Sequence, residues 1–251
     1  MEEFKSKPFY MRIYGDYAIF TDPATKGGGE AFSYQIPTYQ ALKGIISSVY
    51  WKPTLQYFVD EVKIINPMTT ETIGARPILM NGGNDLSYYT YLTNVEYYVK
   101  FHFEWNLNYP ELEKDRNEIK HQQILLRSLE RGGRRDIFLG RRECVGFVER
   151  LTKGAYESKK TYYDDVEVMN MGIMFHSFTY PNEAYNEQEV DKLIANLTPI
   201  IMKNGIITFD RPEETSIQHE VNDYDFKEFS IDDIESVDQV YEKYGLREGE
   251  D

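Results

Sequence analysis

Lys120 and His121 stand side by side in a stretch of this 251-residue chain where cations outnumber acids. An imidazole exchanges protons near neutral pH, and a lysine ammonium offsets negative charge that gathers on phosphorus. Those capacities match cleavage of RNA without a metal, where the 2′-hydroxyl beside the scissile phosphate is the nucleophile. Its proton must be removed, the extra charge on phosphorus stabilised and the leaving 5′ oxygen protonated, and a His, a Lys and a Tyr form a sufficient set. Of the four histidines, His102, His121, His176 and His219, only His121 lies in the basic stretch. Neighbours on a helix point about 100° apart, so Lys120 and His121 can approach one phosphate from adjacent directions. On residue type alone the pair is more simply a solvated helix face.

Cations of a second kind follow. The sequence LERGGRRDIFLGRREC sets Arg131, Arg134, Arg135, Arg141 and Arg142 around Gly132 and Gly133, with Arg116 and Arg127 just upstream. Guanidinium forks grip phosphate, and glycines let backbone amides come close to it, so this segment is a candidate RNA cradle; the alternative is a basic turn with surface ion pairs. Tyr50, Trp51 and Lys52 close an apolar segment in SVYWKP. By composition Tyr50 and Trp51 read as core aromatics, although a chain with 21 tyrosines has rings available to stack on bases. No HxH, HExxH or paired DxD pattern stands in a convincing context, and Asp164-Asp165 and Asp232-Asp233 read as surface charge, so neither metal nor other cofactor is expected. Gly27, Gly28 and Gly29 lack the following Lys-Ser/Thr of a P-loop.

The net charge of −14 argues against a nucleic-acid partner until its distribution is considered. Residues 114–153 hold eleven Lys/Arg against six Asp/Glu, whereas residues 210–251 hold four against fifteen, so the two regions suit different partners. Cys144 is the only cysteine, which excludes a disulfide framework and fits a small core hydrophobe. No apolar run approaches a membrane span and no signal core follows the first residues; a cytosolic protein without a membrane partner is expected.

The elements that must position these groups follow from periodicity. FYMRIYGDYAIF alternates as a strand, and from Pro37 the residues Ala41, Leu42, Ile45, Ile46 and Val49 recur at helical spacing before Pro53. TLQYFVDEVKIIN reads as a second strand, and a turn at Asn81-Gly82-Gly83-Asn84 predicts a hairpin across residues 72–107. A helix is predicted from Arg116 to about Arg131, stopped by Gly132-Gly133, and DIFLGRRECVGFVE reads as the next strand. The order strand, helix, strand, hairpin, helix, strand predicts an α+β fold, ferredoxin-like (RRM-like), over residues 1–150. Beyond it a small β-rich C-terminal domain is expected over 151–211: a strand pair or long strand in VEVMNMGIMFHSFTY, a short helix in EQEVDKLIANLTPI, then GIITFDRP. The acidic tail, 212–251, is expected to be partly helical in IDDIESVDQVYEKY.

Two long blocks in this order, PTYQALKGIISSVYWKPT and NEIKHQQILLRSLERGGRRDIFLGRREC, resemble the CRISPR-associated Cas five family, type I-C (Dvulg) branch of the RAMP superfamily, with the likeness running from about residue 8 to at least 210. The resemblance implies a ferredoxin-like N-terminal domain and a small β-rich C-terminal one. It also implies an endoribonuclease that recognises the repeat hairpin of precursor CRISPR RNA, cuts at its 3′ base, and stays on the mature 5′ handle among the other subunits of the type I-C Cascade complex. The family's catalytic Tyr, Lys and His fall on Tyr50, Lys120 and His121. A non-catalytic subunit that only caps the RNA handle is the alternative, as in relatives of other subtypes.

Overall fold

The computed structural model describes residues 4–23, 25, 30–76, 82–83, 86–223 and 235–243. Strand β1, Phe9–Ala18, follows the predicted alternation: Phe9, Met11 and Ile13 enter the core, while Tyr10, Arg12 and Tyr14 lie on the opposite face. Helix α1, Tyr39–Val49, starts where the Thr38 hydroxyl accepts from the Ala41 amide at 3.2 Å. Such a cap is worth about 1 kcal/mol. The helix buries Leu42, Ile45, Ile46 and Val49, each worth roughly 1.5–3 kcal/mol on leaving water. It ends at Tyr50, whose extended backbone turns the chain toward β2, Leu55–Ile64. Strands β3, Thr69–Ala75, and β4, Ser87–Trp105, pair as the predicted hairpin. Its turn falls partly outside the described residues, as Gly27, Gly28 and Gly29 do.

Helix α2, Glu118–Glu130, is capped by Asn117, whose side chain accepts from the Lys120 amide at 3.0 Å. Its buried residues His121, Leu125, Ser128 and Leu129 form one stripe. The C-terminus closes in a Schellman arrangement: the Gly132 amide donates to the Leu129 carbonyl at 3.1 Å and the Gly133 amide to the Ser128 carbonyl at 2.9 Å. Both glycines have positive φ, +80° and +104°, which disfavours any side chain there.

The predicted single strand after α2 is instead a short hairpin, β5 (Ile137–Phe138) and β6 (Val145–Leu151). Gly140, at φ +94°, turns the chain where a Cβ would run into the Ile19 carbonyl oxygen. Helix α3, Lys153–Ser158, caps the face opposite α1 and α2, where Tyr156 packs with Tyr98 and Ile65. Strand β7, Met169–Thr179, is one long strand with two register shifts. The helix predicted in EQEVDKLIANLTPI is not formed; strand β8, Lys192–Lys203, occupies most of it. Ile194, Asn196, Thr198, Ile200 and Met202 are buried in alternation, a period of two that prevails over the helix-forming Glu, Lys, Leu and Ala of the segment. Strands β9, Ile206–Thr208, and β10, Ile217–Asp223, follow, and α4, Val237–Lys243, is the described part of the predicted tail helix.

The strands form one antiparallel sheet in the order β10-β8-β9-β2-β4-β1-β6-β5, with β3 also on β4 and β7 on β8. The architecture is α+β. Among the described residues no helix is long and apolar enough to cross a membrane. Cys144 is buried, which pushes its thiol up to about 11, as befits a core residue.

Candidate active site

The end of α1 and the first turn of α2 lie against each other, and this brings Tyr50 to His121. The Tyr50 hydroxyl is 2.9 Å from His121 Nδ1, and His121 Nε2 is 2.8 Å from the Asp115 carbonyl oxygen. A carbonyl can only accept, so Nε2 carries the proton and Nδ1 accepts from the tyrosine. His121 is 0% exposed and Tyr50 1%. Burial lowers the imidazole's pKa, against the opposing pull of Asp115, so the ring is neutral at neutral pH. Burial, and then the Asp115 charge, raise the Tyr50 pKa, so its proton stays on oxygen. The edge of Trp105 closes the other side of His121, with ring centroids 5.8 Å apart.

Lys120, one residue earlier on α2, points outward and is partly exposed. Its ammonium forms a short ion pair with Asp115 Oδ1. The other carboxylate oxygen accepts from the Thr54 hydroxyl at 2.7 Å and lies 3.3 Å from His121 Nε2. Hydrogen bonds from Lys120 and Thr54 lower the Asp115 pKa. Asp115 and Thr54 were not singled out from sequence. Asp115 ends a 3-10 turn, Pro110–Asp115, and the signal that could have found it is its place two residues before the helix-capping Asn117. The solvated Lys-His face expected from residue type is therefore split, with lysine outside and histidine inside. Tyr50 combines both readings: its ring is core, and its hydroxyl is held on an imidazole.

The arginines divide into groups. Trp51, 52% exposed, shares a groove with Lys52, Arg134 and Arg135, and Arg127 and Arg131 line the next groove with Arg134. The Arg134 guanidinium lies 5.9 Å from the centre of the Tyr50 ring, which joins these grooves to the buried pair. Nearby Glu130 is engaged by Arg150, and among the described residues no ion pair involves Arg131, Arg134 or Arg135. Arg116 sits elsewhere, donating to the carbonyls of Asn106 and Tyr109. Arg141 lies over Tyr89 and Arg142 over Phe138, on the hairpin beyond β5. The expected backbone cradle is corrected too. The amides of Gly132 and Gly133 are taken by α2, and those of Arg134 and Arg135 donate to the Ser48 carbonyl at 3.3 and 3.2 Å. The backbone amides of this turn are therefore committed within the fold, and its side chains are what it presents outward. Among the described residues no group of three or more His, Cys, Asp or Glu is placed to hold a metal ion.

A family model described as CRISPR-associated protein (Cas_Cas5), in its Cas5d form, matches residues 10–210. The protein named CRISPR pre-crRNA endoribonuclease Cas5d from Mannheimia succiniciproducens is 36% identical over 63 residues, 25% of this chain and 27% of that protein. Its namesake from Thermus thermophilus is 26% identical over 99 residues, 36% of this chain and 42% of that protein. The matches thus span less than half the length of either relative. A crystal structure titled as a CRISPR-associated protein superposes with TM-score 0.71 at 39% identity, covering 87% of this chain and 100% of that one. A functionally uncharacterized protein from Streptococcus mutans superposes with TM-score 0.69 at 41% identity, with the same coverage.

Proposed function

The chain belongs to the Cas5d branch of the CRISPR-associated Cas5 family, and on that premise we propose that it is a metal-independent endoribonuclease of precursor CRISPR RNA. It cuts at the 3′ base of the repeat hairpin and stays on the 5′ handle within a type I-C Cascade complex. The observation that carries this reading is the Tyr50 hydroxyl held at 2.9 Å on the accepting nitrogen of a neutral His121, with Lys120 beside it and arginine grooves leading to the pair.

In the proposed reaction the scissile phosphate displaces Asp115 from Lys120 and so opens the way to the buried pair. The 2′ oxygen attacks phosphorus, its proton passing to the Tyr50 oxygen as Tyr50 hands its own to His121 Nδ1. Lys120 offsets charge on the phosphorane, the P–O5′ bond breaks, and the imidazolium returns the proton to the 5′ oxygen through Tyr50. The products are a 2′,3′-cyclic phosphate and a 5′-hydroxyl. The order of strands β2-β4-β1-β6 with α1 and α2 supports a ferredoxin-like N-terminal domain to about residue 150. In this reading a small β-rich domain covers 151–211, the first part of the acidic tail is β10 paired on β8, and the rest of the tail faces neighbouring subunits.

One observation favours the non-catalytic alternative, a subunit that only caps the handle: both nitrogens of His121 are engaged and the ring has no exposed surface. Incubating a labelled repeat hairpin with wild type and His121→Ala in excess EDTA separates the two. A single cut by wild type alone, about 10²–10⁴-fold slower in the variant, with cyclic-phosphate ends, is expected. Binding without cutting by either protein, or cutting only with added Mg²⁺, overturns the enzyme reading.

A further inference from the structure

The solvent face of β6 breaks the usual rule for a one-sided sheet. Its buried positions are Gly146 and Val148, and two of the outward positions between and beside them are apolar: Val145 and Phe147, each 54% exposed. A single exposed apolar side chain needs no explanation. These two, however, form one wall of an open groove of about 540 Å³ whose other wall carries Arg131, Arg134 and Arg135 together with one carboxylate, Asp136, so that three cations face one acid. The groove thus sets an exposed ring opposite guanidinium groups that, among the described residues, have no carboxylate partner.

Phe147 is held ready rather than loose. In the β1–β6 register it stands directly across from Tyr14, and the two rings stack with centroids 5.5 Å apart and an interplanar angle of 30°. The Arg12 guanidinium covers the Tyr14 ring at 4.1 Å, and Tyr14 donates to Glu149 at 3.0 Å, so the stack beneath Phe147 is fixed from below. Arg12 itself is held by Glu96 at 2.8 Å and Glu149 at 3.1 Å. That end of the stack therefore has no free cation for a phosphate, and carboxylates there repel one. Among the described residues, the cations that line this groove are all on its arginine side.

We propose that this groove is a nucleotide subsite for single-stranded RNA, in which one base stacks on Phe147 and its phosphate is held by Arg131, Arg134 and Arg135. A ring opposite basic side chains is the general device for gripping unpaired nucleotides, because every base has a face to stack and every linkage a charge. Arg134 also lines the grooves beside Tyr50, so the subsite receives the strand that runs on from the proposed cleavage site. The inference rests on the reading of the protein as an RNA endonuclease, and it adds a grip on the RNA flanking the hairpin.

The test compares wild type, Phe147→Ala, Phe147→Leu and Phe147→Tyr for binding of three labelled RNAs: the repeat hairpin with single-stranded flanks, the same hairpin without them, and an unstructured oligouridine. Stacking predicts that Ala and Leu weaken binding of the flanked hairpin and oligouridine about tenfold, that Tyr binds as wild type does, and that the flankless hairpin is bound equally by all four. Leu matching wild type overturns the proposal, because it would show that apolar area rather than an aromatic face is used. Equal affinities for every RNA, with Phe147→Ala losing only a protein neighbour from the assembled complex, would make the patch a protein interface. If wild type fails to cut the hairpin, the enzyme reading fails by itself, and the oligouridine comparison still decides this subsite.

Discussion

His102, within strand β4, and His121, on helix α2, are both buried imidazoles, and their surroundings move their pKa values in opposite directions. His102 offers Nδ1 to Asp60 at 3.0 Å and Nε2 to Glu104 at 3.1 Å; burial opposes the charged form, but the two carboxylates prevail and raise its pKa. Arg211 grips Glu104 with two bonds of 2.9 and 3.1 Å and covers Phe58, which in turn stacks on His102. Against the opposing effect of its own partial burial, Glu104 is held down to about 2 by His102 and Arg211 together. His121 faces a carbonyl and a hydroxyl instead, and is neutral. An imidazole clamped between two carboxylates has both protons committed and ties strands together. One with a single accepting nitrogen on a hydroxyl keeps a place for a proton. The more heavily charged cluster is thus the scaffold, and the quieter one is the candidate for chemistry.

The strongest way to break this comparison is at Tyr50. Tyr50→Phe keeps the ring in the core and removes only the hydroxyl, and single-turnover cleavage of the hairpin should slow by about 10²-fold or more. His102→Gln should leave the same rate within roughly threefold, since no proton transfer depends on it. A Tyr50→Phe protein cutting at the wild-type rate would remove the contrast. Next in size is stability. His102→Ala strips Asp60 and Glu104 of a shared partner, and the denaturant midpoint should fall by the equivalent of roughly 1–3 kcal/mol, reduced from the fully buried case because both carboxylates retain some contact with solvent.

The smallest effect, and the one that sharpens the comparison most, is the sign of the pH dependence. The raised pKa of His102 gives stability that is complete below the unfolded value of ~6.5 and is lost as pH rises through its folded pKa. His121 is lowered, and burial takes His176 down to about 4. For these two the unfolded chain binds more protons as pH drops below ~6.5, so stability falls on the acid side. Melting curves of His102→Gln should therefore flatten above about pH 6.5 and keep the wild-type acid slope between about pH 6.5 and 5, above the range in which Glu104 titrates. Loss of the acid slope in that variant would show the assignment to be reversed.

Much of this was legible in the chain. The apolar stripe of α1 and the glycine stop of α2 are local patterns, so the elements that carry Tyr50, Lys120 and His121 could be placed from sequence. Their convergence could not, because Tyr50 and His121 are 71 residues apart and meet only through the packing of two helices. Asp115 was hidden by being an acid in a basic run, with its role set by a backbone carbonyl that no side-chain pattern reveals. Strand β8 was misread for a related reason. Val190, Leu193, Ile194 and Leu197 mimic a helical stripe, whereas strand pairing with β7 and β10 decides the outcome and is non-local. The glycines after α2 were correctly read as a helix stop, and their amides proved to be used in making it.

Strand β10 ends one side of the sheet with all seven of its side chains exposed. It carries Glu220 and Asp223 and a register shift between Glu220 and Asn222. Charge and irregularity on an outermost strand discourage another chain from adding itself there. The acidity that in sequence weighs against a nucleic-acid partner is thereby placed, in part, along the edge where a further strand would otherwise pair.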